Sequence, residues 1–532
     1  MVLMAAVLEA WWVNSGLAAD PERPSQNSLS EIRLQADKNI TGGQIAAKSY
    51  CGVCHLVPDP QMLDKRTWRD ELLPKMRFFT GMTKADTNVT HFKDINMLLA
   101  TGVFPKSPVM SEKAWQSISN YYVASAPEKL VSTQDQEKIH VGLKHFVARP
   151  AKFRRSPPHT SMLKIDPLRH VIVMGDAQLQ GIDFLDFAGQ RISTVELGNI
   201  PVGMTQTPEG FYFPAIGHFF PREEPHGQLI ELETRPEGLR RKVILSDLPR
   251  TTDVQFADFN GDGRQDFALC MFGNILGRFS WFENKGEGRY EEHVLFNKPG
   301  AISCAVHDFN KDGRPDLAVL VAQADEAMLI FINEGNGRFS KHVAFQQQPS
   351  WGHSGFQVVD FNGDGLVDFL VTNGDNADFD TSPPKPYHGI RLYLNKGNLQ
   401  FEEAWFFHLN GAYKAVARDF DKDGDLDIAA ISFFPDYEHS PRESFVYLEN
   451  KGGMQFDVST FRECVAGRWL TMDVGDIDGD GDEDIVLGSL VKVPTPVPDF
   501  LKKNWDETGP SVMILENTIR KGEPPPDRSN RP

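Results

Sequence analysis

Residues 258–271 read DFNGDGRQDFALCM, an aspartate-rich loop of nine residues followed by an apolar run. The loop places oxygen-bearing side chains at positions 1, 3, 5 and 9, and the glycine at position 6 permits a sharp turn. The run from Phe267 to Met271 has the length and composition of a buried strand. An EF-hand would need helices on both sides and a glutamate at position 12, where this chain has Leu269. The stretch is therefore interpreted as a loop between two strands.

Four more copies of this loop follow, and their first residues lie 50, 52, 59 and 57 residues apart. The candidate metal ligands are Asp258, Asn260, Asp262, Asp266, Asp308, Asn310, Asp312, Asp316, Asp360, Asn362, Asp364, Asp368, Asp419, Asp421, Asp423, Asp427, Asp476, Asp478, Asp480 and Asp484. Carboxylates packed this closely repel one another unless a cation lies among them, and Ca²⁺ tolerates irregular oxygen cages that Mg²⁺ does not. The sequence predicts up to five calcium ions with a structural role.

A second element recurs after each loop, an apolar strand that ends in Asn and a glycine-containing turn. Examples are Phe282-Glu-Asn284-Lys-Gly286 and Tyr393-Leu-Asn395-Lys-Gly397, with a fainter copy at Asn517. Asn and Gly supply the positive φ of a hairpin turn. A period of 50–60 residues that holds several strands is the size of a propeller blade. Residues 160–245 have strand patterns without aspartate loops and are expected to form two further blades, seven in all.

This repeat resembles the FG-GAP or VCBS repeats of bacterial surface proteins and of integrin α chains. The resemblance rests on the five aspartate loops and the hairpins that follow them. It implies an all-β propeller of about seven blades over residues 156–518, stabilised by calcium.

Residues 51–55 read CGVCH. In a C-x-x-C-H motif the two cysteines form thioethers to a haem and the histidine binds its iron. A thioredoxin-type motif would need a βαβ context, and a zinc site would need a second Cys or His pair at short range; neither is present around this motif. The sequence therefore predicts one covalent haem c on Cys51 and Cys54, with His55 as an iron ligand.

The flanking sequence predicts a small all-α domain over residues 30–130. Ser111 is a suitable N-cap for a last helix, with Trp115 and Ile118 at helical spacing. The stretch resembles cytochrome c domains, in particular those joined to propeller repeats in environmental bacteria. Met76 matches the Leu-Pro-x-Met element of those domains and is favoured as the sixth iron ligand. Met110, just before the last helix, is the alternative.

The remaining boundaries follow from composition. Residues 1–19 are interpreted as a signal peptide, 131–155 as a linker and 519–532 as a disordered tail. The chain has a formal charge of −18, which argues against a nucleic-acid partner. No apolar stretch reaches the 18 or more residues of a membrane span, so none is expected. The haem motif implies export to the periplasm or the cell surface.

Three functions are compatible with these features. The first is electron transfer, with a redox partner protein or a surface ligand docked on the propeller. The second is a haem-coupled periplasmic oxidoreductase acting on a sugar or an alcohol, and the third is an adhesion or carbohydrate-binding propeller with an accessory haem. Whether the chain is an enzyme stays open. Three long insertions could hold the docking site: residues 217–227, 373–388 and 432–442.

Overall fold

The strands that follow the aspartate loops belong to a β-propeller in a computed structural model of the chain. The structure describes residues 40–83, 95–130 and 139–519, apart from 209, 221, 237, 324, 378–382 and 493–494. The chain divides into two units, residues 1–130 and 131–532. The expected signal peptide and all but the first residue of the expected tail lie outside the described residues, as do residues 30–39 and 84–94 of the expected haem domain.

The described part of the first unit is helical. Its helices are α1 (Ile40–Tyr50), α2 (Lys65–Thr67), α3 (Leu73–Phe79), α4 (Ile95–Thr101) and α5 (Glu112–Ser125), with 3-10 turns at Cys51–Val53 and Pro60–Met62 and a π-helical turn at Trp68–Leu72. Ser111 caps α5, and its Oγ accepts a hydrogen bond from the Ala114 amide at 3.1 Å. This is the cap that the sequence predicts.

Helices α1 and α5 cross closely because α1 presents a glycine at the contact. A Cβ on Gly43 would lie 2.3 Å from the Ser117 carbonyl oxygen and 2.7 Å from Tyr121 Cβ. Beside this crossing, the rings of Trp68 and Tyr122 are 4.3 Å apart and both are buried. The Tyr122 hydroxyl donates to the Pro58 carbonyl at 3.0 Å, which ties α5 to the segment that follows the CGVCH motif.

The second unit contains all 29 strands of the described chain, one further α-helix, α6 (Asp499–Glu507), and a 3-10 turn at Pro441–Ser444. The strands are β1 (His140–Val141), β2 (Phe146–Pro150), β3 (Thr160–Asp166), β4 (Val171–Asp176), β5 (Gly181–Asp186), β6 (Arg191–Glu196), β7 (Thr205–Gln206), β8 (Gly210–Ala215), β9 (Gly227–Arg235), β10 (Gly238–Leu248), β11 (Thr251–Ala257), β12 (Asp266–Met271), β13 (Arg278–Asn284), β14 (Tyr290–Phe296), β15 (Ala301–His307), β16 (Asp316–Val321), β17 (Ala327–Asn333), β18 (Phe339–Gln346), β19 (His353–Val359), β20 (Asp368–Asn373), β21 (Gly389–Asn395), β22 (Phe401–His408), β23 (Ala412–Arg418), β24 (Asp427–Ser432), β25 (Phe445–Asn450), β26 (Phe456–Thr460), β27 (Trp469–Gly475), β28 (Asp484–Ser489) and β29 (Val512–Asn517).

These strands form seven antiparallel blades, which confirms the expected number. Blades one to six each take four consecutive strands, from β3–β6 to β23–β26, and blade seven is built from β27, β28, β29 and β2. The short β1 adds a fifth, parallel strand to the edge of blade six. Blades one and two are the two that lack aspartate loops. The core lies between neighbouring blades, as where Trp281 of blade three and Leu317 of blade four share one apolar cluster.

The ring is closed by a strand from the segment that the sequence suggests is a linker. Strand β2 pairs with β29, with Phe146 opposite Asn517, and supplies the outer strand of blade seven. Phe146 is buried, and its ring lies 5.7 Å from Phe420 and 5.4 Å from Tyr447 of blade six. The propeller therefore begins before residue 156, inside the range expected to be a linker. Hydrophobic patterning missed β2 because a single outer strand carries only one buried phenylalanine.

Among the described residues, no helix is long and apolar enough to span a membrane.

Candidate functional site

The CGVCH motif begins where α1 ends. Cys51 opens a 3-10 turn, and the Cys54 amide donates to the Cys51 carbonyl at 3.4 Å. Neither cysteine is in a disulfide, and burial raises the pKa of Cys51 to about 12. His55 Nδ1 lies 2.7 Å from the Leu56 carbonyl oxygen, which can only accept a hydrogen bond. Nδ1 is therefore protonated, and Nε2 is the nitrogen that would coordinate a metal.

The two candidate methionine ligands lie on segments that contact each other. Met76 is in α3 and partly exposed, whereas Met110 is 7% exposed and precedes the N-cap of α5. The two segments are joined by a hydrogen bond from the Val109 amide to the Thr80 carbonyl at 3.1 Å. The sequence favours Met76 as the sixth ligand and leaves Met110 as the alternative. The fold places both methionines in one region of the helical unit.

Each aspartate loop connects two strands, as the sequence predicts, and these are the first and second strands of a blade. The first aspartate organises the loop: Asp258 Oδ1 accepts the Gly261 amide at 2.7 Å, and Oδ2 accepts the Gly263 amide at 2.8 Å. In loops four and five the carboxylates converge, with the ligand oxygens of each set within 4.8 Å of one another. The sets are Asp419, Asp421 and Asp423, and Asp476, Asp478 and Asp484. Such oxygen clusters have the composition of a Ca²⁺ cage.

The aspartate at position 9 joins the two repeated elements of a blade. Asp266 is fully buried; its Oδ2 accepts the Phe259 amide of the loop at 3.1 Å and its Oδ1 accepts the Asn284 amide of the hairpin at 2.7 Å. The same pair of bonds recurs at Asp316, Asp368 and Asp484. In loop four, Asp427 accepts the Asn450 amide and the Tyr447 hydroxyl instead.

Sequence reasoning treated this position only as a metal ligand and missed its backbone contacts. The signal that could have revealed them is that an Asn-x-Gly turn follows four of the five aspartate loops. The asparagine also reaches the neighbouring blade, since Asn333 Nδ2 donates to the Phe259 carbonyl at 2.9 Å and Asn517 Nδ2 donates to the Phe420 carbonyl at 2.9 Å. The faint copy at Asn517 has no hairpin after it because β2 supplies the next strand.

The three expected insertions lie on the face of the propeller opposite the aspartate loops. In an antiparallel blade, the connections between strands one and two and between strands three and four share one end, which holds the aspartate loops and the Asn-x-Gly turns. The connections between strands two and three share the other end, and these include residues 216–226, 374–388 and 433–444. We call this end the insertion face. A fourth insertion there, residues 490–511 with α6, was not anticipated.

Three of the four insertions meet across the ring. Phe219 of blade two packs against Phe433 and Phe434 of blade six and Leu490 of blade seven. Blade two borders neither of these blades in the ring, so the 216–226 loop reaches over the central opening. Buried Arg250 supports the loop, donating to the carbonyl oxygens of residues 218 and 219 at 3.2 Å each. The loops of the insertion face therefore contact one another and are held in place by these contacts.

Comparison with protein-family models matches an FG-GAP-like repeat at residues 258–319, 308–371 and 419–487. All five aspartate loops fall in these segments. The chain carries FG-GAP-like repeats. The matched segments cover about a third of the 532 residues.

No curated protein matches the chain by sequence. Among solved structures, BBS1N in complex with ARL6DN is 10% identical with a TM-score of 0.44, and the match covers 72% of this chain and 99% of that chain. Sqt1 of Saccharomyces cerevisiae is 9% identical with a TM-score of 0.41, over 71% of this chain and 99% of that chain.

The five FG-GAP-like loops differ in charge. In loops one and three, a backbone hydrogen bond holds the pKa of the position-5 aspartate, Asp262 or Asp364, below its usual value. Loop four instead carries five aspartates within nine residues. Burial, reinforced by neighbouring carboxylates, raises the pKa of Asp421 to about 6 and that of Asp427 to about 7. Loop four therefore crowds more carboxylates together than loops one and three, and a cation there would offset their repulsion.

A cavity of about 410 Å³ also lies beside blade one. Its lining residues are Phe153, Arg154, Arg155, Ser156, Asp176, Gln178, Leu179 and Arg191. Asp176 is 1% exposed; its Oδ1 accepts the Gln178 and Leu179 amides, whereas its Oδ2 has no hydrogen-bond partner among the described residues. Arg155 is held by two hydrogen bonds to Asp183, at 2.6 and 2.9 Å. A buried acceptor beside fixed guanidinium donors suits a ligand that carries hydroxyl groups.

Proposed function

We propose that this protein is an exported monohaem c-type cytochrome whose calcium-stabilised propeller docks a redox partner or a surface ligand. The observation that carries the proposal is the CGVCH motif on the turn after α1. There Cys51 and Cys54, which form no disulfide, flank a helical turn, and the His55 ring is oriented by the Leu56 carbonyl. An iron-binding histidine usually has its second ring nitrogen tied to such an acceptor.

The residues of the helical unit fit a haem c. Cys51 and Cys54 would form the thioethers, and His55 would bind the iron through Nε2. Met76 or Met110 would supply the second protein ligand of the iron, and Met76 remains favoured from its sequence context. A haem with His and Met ligands supplies a one-electron couple of raised potential and leaves no iron position for a small molecule. The protein's part is to hold these side chains and to exclude water from the buried Met110 region.

The calcium part of the proposal rests on the converging carboxylates of loops four and five. Up to five Ca²⁺ ions would neutralise the aspartates and fix each loop at the end of its blade. Because the position-9 aspartates also bind the hairpin backbone, a calcium ion at a loop would stiffen both elements of the blade. The role of calcium is therefore structural.

The test is maturation of the full chain with a cytochrome c assembly system. We expect haem that stays bound after denaturation, and its loss when Cys51 and Cys54 are both replaced by alanine. Replacing Cys464, a buried thiol of the propeller, is the matched control and should leave the haem attached. Absence of covalent haem from the unaltered protein would refute the proposal.

The sixth ligand is tested on the same material. Met76→Ala and Met110→Ala are compared by the absorption spectrum of the reduced protein before and after carbon monoxide is added. Loss of the true ligand opens the iron and makes the spectrum respond to carbon monoxide, whereas loss of the other methionine does not. A response in the unaltered protein would instead favour a haem that binds or transforms a small molecule.

The cavity around Asp176 favours a second candidate function, binding of a carbohydrate by the propeller. Asp176 Oδ2 and the guanidinium of Arg155 would bind adjacent hydroxyl groups of a sugar. Isothermal titration with neutral and acidic oligosaccharides tests this, with Asp176→Ala as the variant expected to lose binding. Asp186→Ala, which alters a carboxylate at the opposite end of blade one, is the control. Binding that both variants retain would place the ligand elsewhere.

A further inference from the structure

The loop between β8 and β9 brings two histidines and a glutamate to one point on the insertion face. His218 Nε2 lies 3.4 Å from Glu224 Oε2, and His226 Nε2 lies 3.6 Å from the same oxygen. The three ligand atoms are all within 4.8 Å of one another. The two imidazole rings meet edge to face, with their centroids 5.0 Å apart.

The backbone of the loop brings these side chains together. Gly217 has φ +81°, and a Cβ there would lie 2.8 Å from the backbone of His226, so only glycine allows the two ends of the loop to approach. The Asn199 amide group bonds both ends: Oδ1 accepts the Gly217 amide at 2.9 Å and Nδ2 donates to the His226 carbonyl at 2.9 Å. The histidines that follow Gly217 and precede Gly227 are therefore neighbours as a consequence of the fold.

Two other contacts fix the loop between its ends. Buried Glu223 accepts the amides of Asn274 and Leu276 from blade three, at 2.9 and 2.8 Å. Arg250 donates to the carbonyls of His218 and Phe219. Because Glu223 points into the fold, the next residue, Glu224, is directed to the histidines. The backbone of the cluster is thus held in place without any metal.

We propose that His218, Glu224 and His226 bind one divalent transition-metal ion, with Zn²⁺ as the representative. Zinc binds histidine nitrogen at about 2.0–2.1 Å and carboxylate oxygen at about 2.0–2.2 Å. In a tetrahedron with such bonds, neighbouring ligand atoms are about 3.4 Å apart. The observed separations of 3.4 and 3.6 Å match that spacing. Two imidazoles favour zinc, copper, nickel or iron over calcium, which takes oxygen ligands.

Nearby charges are compatible with a cation. Arg222 forms a long ion pair with Glu224, with Nη1 3.5 Å from Oε2 and beyond a normal N–H···O hydrogen bond, and its side chain is partly exposed. It can therefore turn towards solvent when a metal arrives. Three protein ligands leave a fourth position for water or another ligand, as in zinc sites that are not purely structural. That position would face solvent on the insertion face.

Another cluster of possible metal ligands in the same propeller can be compared with this one. Glu283, Glu291 and His293 also lie within 4.8 Å of one another. There, however, Lys285 Nζ is 2.7 Å from Glu283 and 2.9 Å from Glu291, so an ammonium group already pairs with both carboxylates. With one imidazole and a resident cation, this cluster should not bind zinc.

The experiment is calorimetric titration of the full-length, haem-loaded protein with Zn²⁺ in excess calcium, which fills the oxygen-rich loops. We expect one zinc equivalent that disappears in the double variant His218→Ala/His226→Ala. Glu224→Gln keeps the shape of the side chain and should weaken binding by at least about 10-fold, the smallest loss seen even for outer partners of a metal site. His293→Ala is the control and should bind zinc as the unaltered protein does.

A second readout identifies the ligands. Co²⁺ bound at this site should give the visible absorption of a four- or five-coordinate ion with nitrogen ligands, and the double variant should lack it. Circular dichroism and melting temperature check that the partly exposed substitutions leave the propeller folded. The proposal is overturned if the double variant binds Zn²⁺ with the same stoichiometry and affinity as the unaltered protein, or if the unaltered protein binds none.

Discussion

Replacing Asp266 with alanine should destabilise blade three even when no calcium is bound. The Asp266 carboxylate is fully buried and accepts two backbone amides, Phe259 at 3.1 Å and Asn284 at 2.7 Å. Alanine removes both acceptors and leaves two amides without a partner in a place that water does not reach readily. A buried donor without a partner costs about 1–3 kcal/mol. The expected loss of local stability is therefore about 2–6 kcal/mol for the two amides together.

The measurement is native-state hydrogen exchange in the presence of EDTA, read at the peptides that contain Phe259 and Asn284. Local exchange is preferable to a single unfolding curve because a protein of two units need not unfold in one step. Asp262→Ala is the matched control: the Asp262 side chain is exposed and accepts the Arg264 amide at the loop surface. A surface change of this kind should alter stability by no more than about 0.5 kcal/mol.

Comparing the two variants tests whether the position-9 aspartate stabilises the blade through its backbone hydrogen bonds or only through calcium. If Asp266→Ala and Asp262→Ala behave alike in EDTA and differ only after calcium is added, position 9 acts through the metal alone. The proposed backbone role of the repeated aspartate would then be wrong for this blade and for the three blades with the same bonds.

Three further predictions follow from other parts of the propeller. Calcium at 100 times its dissociation constant stabilises a site by about 2.7 kcal/mol. Because loop four holds more carboxylates, Asp421→Asn should reduce the calcium-induced rise in melting temperature more than Asp364→Asn does. Scanning calorimetry with calcium or with EDTA measures this rise, and equal reductions in the two variants would contradict the prediction. His388→Gln should make the propeller less sensitive to acid, since burial and nearby cations hold the pKa of His388 well below its usual value. These groups are Lys385, Arg391 and, when it is protonated, His408. The native state thus binds fewer protons than the unfolded chain, and the free energy of unfolding decreases as the pH falls below about 6.5. If the melting temperatures of the unaltered protein and of the variant fall equally between neutral and acid pH, the prediction is wrong. Phe146→Ala should cost about 3–5 kcal/mol and open the ring at blade seven, detected as exchange in β2 and β29 while the helical unit keeps its protection.

The repeats alone were sufficient to predict the propeller. An aspartate loop followed by a run such as Phe267 to Met271, and then by an Asn-x-Gly turn, specifies two strand pairs in each period. The structure has seven blades, including the two without aspartate loops, because strand alternation is local and survives without the loops. The CGVCH motif is equally local: three side chains that serve one rigid group must be close in sequence. Its haem remains a prediction.

Closure of the ring could not be read from local pattern. Strand β2 pairs with β29, which lies far away in the sequence. Arg149 of β2 and Glu516 of β29, whose side chains are hydrogen-bonded, are 367 residues apart. A five-residue outer strand has one buried side chain and carries no periodic signal that separates it from a linker. The same limit hid the insertion that contains α6, which is defined by where its flanking strands end.

What the sequence by itself determined is the chemistry that neighbours in the chain perform together: the aspartate loops, the hairpin turns and the cysteine–histidine motif. Only the tertiary structure decided which loops share a face, which strand closes the ring, and that His218 and His226 meet around Glu224. The reason is physical. Local patterns record hydrogen bonds and turns within a few residues, whereas faces, closure and the histidine cluster depend on how seven blades pack around one axis.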